Sequence, residues 1–510
     1  TTPDGLVNTS TLDKTYAQEG ADTSRYTLTA DQNGSALVMD VDTRSGITRI
    51  TSAEGRQTTL HADPETLLTQ EVEAPGLHER QFEYDTRGRL IEERFGDRTT
   101  AYTYDDAAAL GQLTQITAPD GSATQFEYDL LGRVTQVTYP DGNKTAITYD
   151  ANGNATRVTV PTREDHASVF NGVNKVATEN RPATAPTVYT YNLERQLTQI
   201  EQPSGETIEY TYESGRLTRT EAPEANMYYH YQQGDQLARV ERGEEQVHYQ
   251  YDGTLLTELR YEGLLNATLG YGYNPDFQIN NISYAGASSS VGYDDDGLLT
   301  AINGFTLSYD AQSGFLEQIQ GSNLTQTWQW NGYGEATAVD YHQSGQNTYG
   351  YNLEYGSAGR ITGKIEQTPS GTSAYAHDYD DRGRLVEVIK DGAIVEAYAH
   401  DYDDRGRLVE VIKDGAIVEA YAYDANGNRT LQTSTEAGID AKAATYTAGD
   451  QLASRGTTSY DYDANGRLST KVEQTQTGPV QTNYVYASEG QLLQVYSGPH
   501  RQDRMCSSLS

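Results

Sequence analysis

One short pattern returns along most of the chain, and a fold that accommodates it must itself be periodic. Phe82-Glu83-Tyr84-Asp85-Thr86-Arg87-Gly88-Arg89-Leu90 recurs as Phe126-Glu127-Tyr128-Asp129-Leu130-Leu131-Gly132-Arg133-Val134, and again as Tyr460-Asp461-Tyr462-Asp463-Ala464-Asn465-Gly466-Arg467-Leu468. With the second aromatic as the anchor, weaker copies fill the gaps at Tyr104, Tyr149, Tyr191, Tyr212, Tyr231, Tyr251, Tyr273, Tyr293, Tyr309, Trp330, Tyr355, Tyr379, Tyr402, Tyr423, Tyr446 and Tyr486. The anchors lie about 21 residues apart, in the range where repeat architectures occur.

Each copy predicts a hairpin. Tyr-x-Tyr alternation puts two rings on one face of a strand, because successive side chains point to opposite faces. The Asp-x-x-Gly that follows suits a type I turn, with Asp accepting local amide bonds and Gly free to take positive φ. A returning strand such as Leu90-Ile91-Glu92 then runs to a second turn, for example Pro119-Asp120-Gly121, Pro140-Asp141-Gly142 or Lys390-Asp391-Gly392. The structural anchors are therefore Tyr84, Asp85 and Gly88, repeated as Tyr128, Asp129 and Gly132, and as Tyr149, Asp150 and Gly153. They return as Tyr379, Asp380 and Gly383; Tyr402, Asp403 and Gly406; Tyr423, Asp424 and Gly427; and Tyr462, Asp463 and Gly466.

Two strands per unit give roughly 40 strands of about five residues, more than an open twisted sheet holds without curling. The expected fold is all-β, a repeat array of short antiparallel hairpins whose sheet bends round on itself and so removes its long edges. Apart from short helical turns expected near Ala441-Lys442-Ala443-Ala444, no amphipathic helix is predicted.

Composition narrows the function. The chain has 40 tyrosines against 7 phenylalanines, so its aromatic surface keeps a hydroxyl for a partner or water. Lys plus Arg is 37 and Asp plus Glu is 73, a formal charge of -36 that would repel a phosphate backbone, so no nucleic-acid partner is expected. The single cysteine, Cys506, allows neither an internal disulfide nor a cysteine-based zinc site. No apolar run reaches the roughly 20 residues of a transmembrane helix. The start at Thr1, without methionine or a signal-like segment, reads as an excerpt of a longer protein.

The Tyr-x-Tyr-Asp-x-x-Gly-Arg-Leu unit resembles the YD repeat of bacterial Rhs and wall-associated proteins, of insecticidal toxin-complex B and C components, and of animal teneurins. The resemblance covers about residues 80 to 490. It implies a β-strip spiralling into a hollow shell, which in bacterial members encloses a C-terminal toxin. On that resemblance the chain is expected to be a non-catalytic, secreted or cell-surface shell segment. Its partners would be an encapsulated toxin or cargo polypeptide and a secretion-apparatus or cell-surface component. The alternative is a surface module that binds glycan or protein, as in teneurins.

The expected organisation is a degenerate β-repeat region over residues 1–80, YD repeats over 81–160, a Pro-containing spacer over 161–187, YD repeats over 188–496 and an aberrant tail over 497–510. Bacterial members end the shell with an Asp-Pro-x-Gly plug that can cleave itself. Here the one Asp-Pro is Asp63-Pro64, followed by Glu65-Thr66, so self-processing is not inferred.

Other constellations have plain structural readings. Asp461, Asp463, Asn465 and Gly466 copy the first half of an EF-hand loop, but Val472 replaces its last ligand. Asp294-Asp295-Asp296-Gly297 reads as a solvated turn. His377 and His400 stand where a tyrosine is usual. No His-Glu-x-x-His or Gly-x-Ser-x-Gly element occurs, so no catalytic residue, metal or cofactor is assigned.

Overall fold

A computed structural model describes the chain apart from residues 1, 4, 18–22, 106–110, 141, 160–165, 182–183, 380–383, 392–397, 403–406, 414–415, 425–426, 436–437, 448 and 499–510. The described residues form 46 strands and no helix. Within each unit, the described consecutive strands pair antiparallel, as in Ser10–Tyr16 with Arg25–Gln32 and Arg80–Tyr84 with Leu90–Phe95, following the period-2 pattern and short turns.

One hairpin shows the rule. Strand Arg80–Tyr84 pairs with Leu90–Phe95, with Gln81 opposite Arg94, Phe82 opposite Glu93 and Glu83 opposite Glu92. The register then slips, and Tyr84 faces Leu90. This bulge sits just before the anchor and recurs in the same place at Tyr128, Tyr149, Tyr379, Tyr402, Tyr423 and Tyr462. Bulges increase local twist, so one per repeat bends the strip regularly.

Asp85 closes the turn. Its amide donates to the Arg89 carbonyl at 2.9 Å and its own carbonyl accepts from the Gly88 amide at 2.9 Å, while Oδ1 accepts from the Arg87 amide at 2.8 Å. Gly88 has φ of 77°, which favours glycine. Asn174, Arg195 and Phe277 take the same left-handed conformation in the corresponding turns, at φ of 59°, 65° and 65°.

Two compact units are distinguished: residues 1–124 with 248–397, and residues 125–247 with 398–510. Neither is built on a thick core. Among the described residues, the buried apolar side chains are Ile208, Ala338, Val339, Val411, Ala444 and Ala487. The chain exposes 30005 Å², against roughly 18,500 Å² for a compact monomer of this mass. Nearly all other side chains of the described strands are half-buried or exposed.

Two regions differ from the sequence expectation in detail. Residues 441–444 lie in strand Ile439–Tyr446, paired on both sides, because cross-strand pairing overrides the helix preference of alanine. Within the Pro-containing stretch, His166–Phe170 and Val176–Asn180 form a hairpin closed by Asn171, whose side chain replaces the usual aspartate as turn acceptor. The described residues between 10 and 73 form paired strands from Ser10–Tyr16 to Thr69–Glu73, with few aromatic anchors. Of the aberrant tail, residues 499–510 lie outside the described residues.

Candidate functional site: repeat clamps and seams

The ladder between one hairpin and the next stops short of the turn. Strand Arg98–Asp105 pairs with Leu90–Phe95 only as far as Glu92 and Ala101. Beyond that point, the Tyr104 hydroxyl donates to the Leu90 carbonyl at 2.8 Å. The same step recurs: Tyr149 to Val134 at 2.8 Å, Tyr231 to Leu217 at 2.9 Å, Tyr379 to Ile361 at 2.7 Å, Tyr423 to Leu408 at 2.8 Å and Tyr462 to Leu452 at 3.0 Å. Trp330 uses its indole N–H on the Leu316 carbonyl at 2.8 Å. The acceptor always lies two residues before the last ladder pair, and the donor three residues after it. A buried carbonyl without a partner costs about 1 to 3 kcal/mol, and the side chain that meets this need must be both aromatic and a donor. Burial also pushes the Tyr379 and Tyr462 hydroxyls up from their ordinary pKa, which keeps them protonated.

An arginine completes the clamp. Arg133 Nε donates to Asp129 Oδ2 at 2.7 Å, its guanidinium lies 4.5 Å from the centre of the Tyr149 ring, and Nη1 donates to the Asp150 carbonyl at 3.2 Å. Arg467 does the same with Asp463, Tyr486 and the Ala487 carbonyl, and Arg407 reaches the Tyr423 ring and the Asp424 carbonyl. In these repeats one arginine side chain thus holds its own turn or the next repeat's turn together with the next repeat's ring.

Within each unit, a second set of contacts joins residues far apart in sequence. In the first unit, Arg56 bonds Asp294 at 3.1 Å and also Asp296, Arg98 bonds Glu335 at 2.8 Å, and Arg360 bonds Asp120 at 3.0 Å. These partners are 237 to 240 residues apart. Tyr333 reaches Asp97, and Asn33 donates to Asp276 at 2.5 Å. In the second unit, the Ser204 amide donates to Asn465 at 2.8 Å and Ser488 to Glu224 at 2.8 Å, over 261 and 264 residues. Each of these contacts sets a turn of the earlier stretch, such as Pro119-Asp120-Gly121 or Pro203-Ser204-Gly205, against a four-residue turn that follows an aromatic anchor in the later one. Within each unit, two stretches of hairpins therefore meet turn to turn at a polar seam.

Residues 32–404 and 396–501 match the profile of the Teneurin YD-shell family. The chain belongs to that family. Among solved structures, this YD-shell chain is similar to the Photorhabdus luminescens Tc holotoxin pore, with a TM-score of 0.57 and 13% identity over 95% of this chain and 31% of that one. A crystal structure of TcdB2-TccC3-TEV gives a TM-score of 0.55 and 12% identity over 95% and 30%. The YD-shell chain thus spans about a third of the length of these structural relatives. No curated protein matches it.

The sequence anchors fall into three roles in the YD shell. Tyr84, Tyr128, Tyr149, Tyr379, Tyr402, Tyr423 and Tyr462 all face the first residue of the returning strand, and the hydroxyls of Tyr149, Tyr379, Tyr423 and Tyr462 donate to the preceding repeat. Asp85, Asp129, Asp150, Asp424 and Asp463 accept turn amides, and Gly88, Gly132, Gly153, Gly427 and Gly466 have positive φ. Asp380, Gly383, Asp403 and Gly406 lie outside the described residues. Asp294 and Asp296 are not a solvated turn: their side chains are 11% and 13% exposed because Arg56 covers them. In the EF-hand-like stretch, Asp463 is bound by Arg467 and local amides. The arginine after the turn glycine was the missed functional residue, and its recurrence at Arg89, Arg133 and Arg467 was the available signal.

Proposed function

We propose that the chain is a non-catalytic wall segment of a container that sequesters a polypeptide, as a bacterial toxin shell encloses its cargo. The observation that carries this reading is a sheet with few fully buried side chains, held by neighbour clamps in place of a core. An enzyme gains from a walled cleft with a few convergent groups, whereas a wall needs two faces and regular joints. The Teneurin YD-shell family and the Tc toxin structures that the chain resembles support the same role. The reading implies a secreted or cell-surface setting and a cargo joined to the shell.

The test is to express the chain together with the polypeptide encoded directly downstream of it. The proposal expects the downstream polypeptide to co-purify and to resist protease until the shell is denatured. A downstream polypeptide that is digested as fast as when expressed alone would overturn it.

A further inference from the structure

On the face opposite the aromatic anchors, one group of metal-ligating side chains converges among the described residues. His61 faces Glu71 across strands Gln57–Ala62 and Thr69–Glu73, and Glu73 stands two residues on, opposite Thr59. One ring nitrogen of His61 and an oxygen of each glutamate lie within 4.8 Å of one another, and His61 Nε2 is 3.8 Å from Glu73. That nitrogen is buried and has no hydrogen-bond partner. Burial, and next the Glu79 carboxylate, push the Glu71 carboxyl up; His61 opposes this and Glu73 adds to it.

The chain contains its own control. In strands Asn226–Tyr231 and Leu237–Arg242 the same three positions are His230, Arg239 and Glu241, with the same bulge beside the histidine. There the Arg239 guanidinium lies 2.5 Å from Glu241 and 3.4 Å from His230 Nε2, so a resident cation serves both. At His61 a glutamate replaces that arginine. Two carboxylates and an imidazole are left facing the space the guanidinium would fill.

We propose that His61, Glu71 and Glu73 bind a divalent transition-metal ion of the zinc class. Zinc accepts imidazole nitrogen and carboxylate oxygen at about 2.0 to 2.2 Å, which places ligands about 3.4 Å apart and requires a closure of up to about 1.4 Å from the 4.8 Å spread here. The imidazole disfavours calcium and magnesium, which take oxygen ligands. Three protein ligands leave a coordination position for water or a donor from outside the chain.

The metal-stripped full chain is titrated with zinc chloride by calorimetry, and with cobalt(II) by visible absorption. The expected result is one saturable site in the micromolar range, with His61→Ala or Glu73→Gln weakening it by about tenfold or more. Glu71→Arg, which copies the trio at His230, is expected to abolish the site while leaving the circular dichroism spectrum unchanged. If Glu71→Arg does not fold, the other two variants decide. No saturable site in the wild type, or zinc affinity unchanged in the folded variants, overturns the proposal.

Discussion

The Tyr104 hydroxyl donates to the Leu90 carbonyl at 2.8 Å, and this bond closes the gap left where the strand ladder between two repeats ends. Tyr104→Phe keeps the ring under Arg89, whose guanidinium lies 4.4 Å from its centre, and removes only the donor. The expected loss is about 1 to 3 kcal/mol, set by the carbonyl left unpaired. Hydrogen exchange around residues 88–92 and 101–105 should show faster opening there, whereas Tyr284→Phe, at a side chain that is 52% exposed, should change nothing measurable.

Arg133 joins two repeats, so its effects should be non-additive with those of its partners. Arg133→Lys keeps the charge but loses the planar fork that bonds Asp129 and the Asp150 carbonyl together. A double-mutant cycle of Arg133→Ala with Tyr149→Phe is expected to give a coupling of about 0.5 to 2 kcal/mol, read from denaturation midpoints. Strict additivity would mean that the two side chains act independently.

The seam makes a separate prediction. The Arg98 and Glu335 side chains are only 15% and 19% exposed, and the guanidinium also lies 3.7 Å from the centre of the Tyr333 ring. Arg98→Ala should cost about 1.5 to 3 kcal/mol as charge-assisted bonds are lost. Protease should then cut first near residues 96–98 and 331–335, with little dependence on added salt, since the pair is shielded from solvent.

Stability should fall at both ends of the pH scale. The amide and then the guanidinium of Arg89 hold Asp85 below the usual carboxylate range, and the guanidinium and then the amide of Arg133 do so for Asp129. Lowered folded-state values stabilise above the unfolded pKa, and that contribution is lost as pH drops below about 4. Burial raises the hydroxyls of Tyr273, Tyr309 and Tyr379, and their contribution is lost as pH rises through and above about 10. Thermal midpoints should be nearly flat between about pH 5 and 9 and fall outside it. A midpoint that climbs steadily toward pH 3 would contradict the turn geometry.

The hairpin period was legible because everything that makes it is local. Tyr84, Asp85 and Gly88 lie within five residues, and strand alternation and turn chemistry act over that distance. The acceptor of the tyrosine hydroxyl was not legible, since it depends on where the ladder between repeats ends. The seam left even less trace: Arg56 and Asp296 are 240 residues apart, and nothing near either one marks its partner. The trio at His61 was equally hidden, because its residues meet only through the register of two strands.

The most direct test of the repeat as the structural unit uses the internal copy, in which Ala374 to Glu396 reads the same as Ala397 to Glu419. Both copies keep one register: Tyr375 faces Lys390 and Tyr379 faces Leu385, as Tyr398 faces Lys413 and Tyr402 faces Leu408. The second unit's seam spans 261 residues from Ser204 to Asn465, and removing 23 residues would bring it to 238, within the 236 to 243 found between Asp97 and Tyr333 and between Asn33 and Asp276. Deleting residues 397–419 should therefore leave a folded shell whose solubility, thermal midpoint and protease resistance are near those of the full chain, because neighbours meet equivalent neighbours. Deleting residues 397–407 alone removes one strand with its turn and should unfold or aggregate the chain. Equal damage from the two deletions would contradict the account.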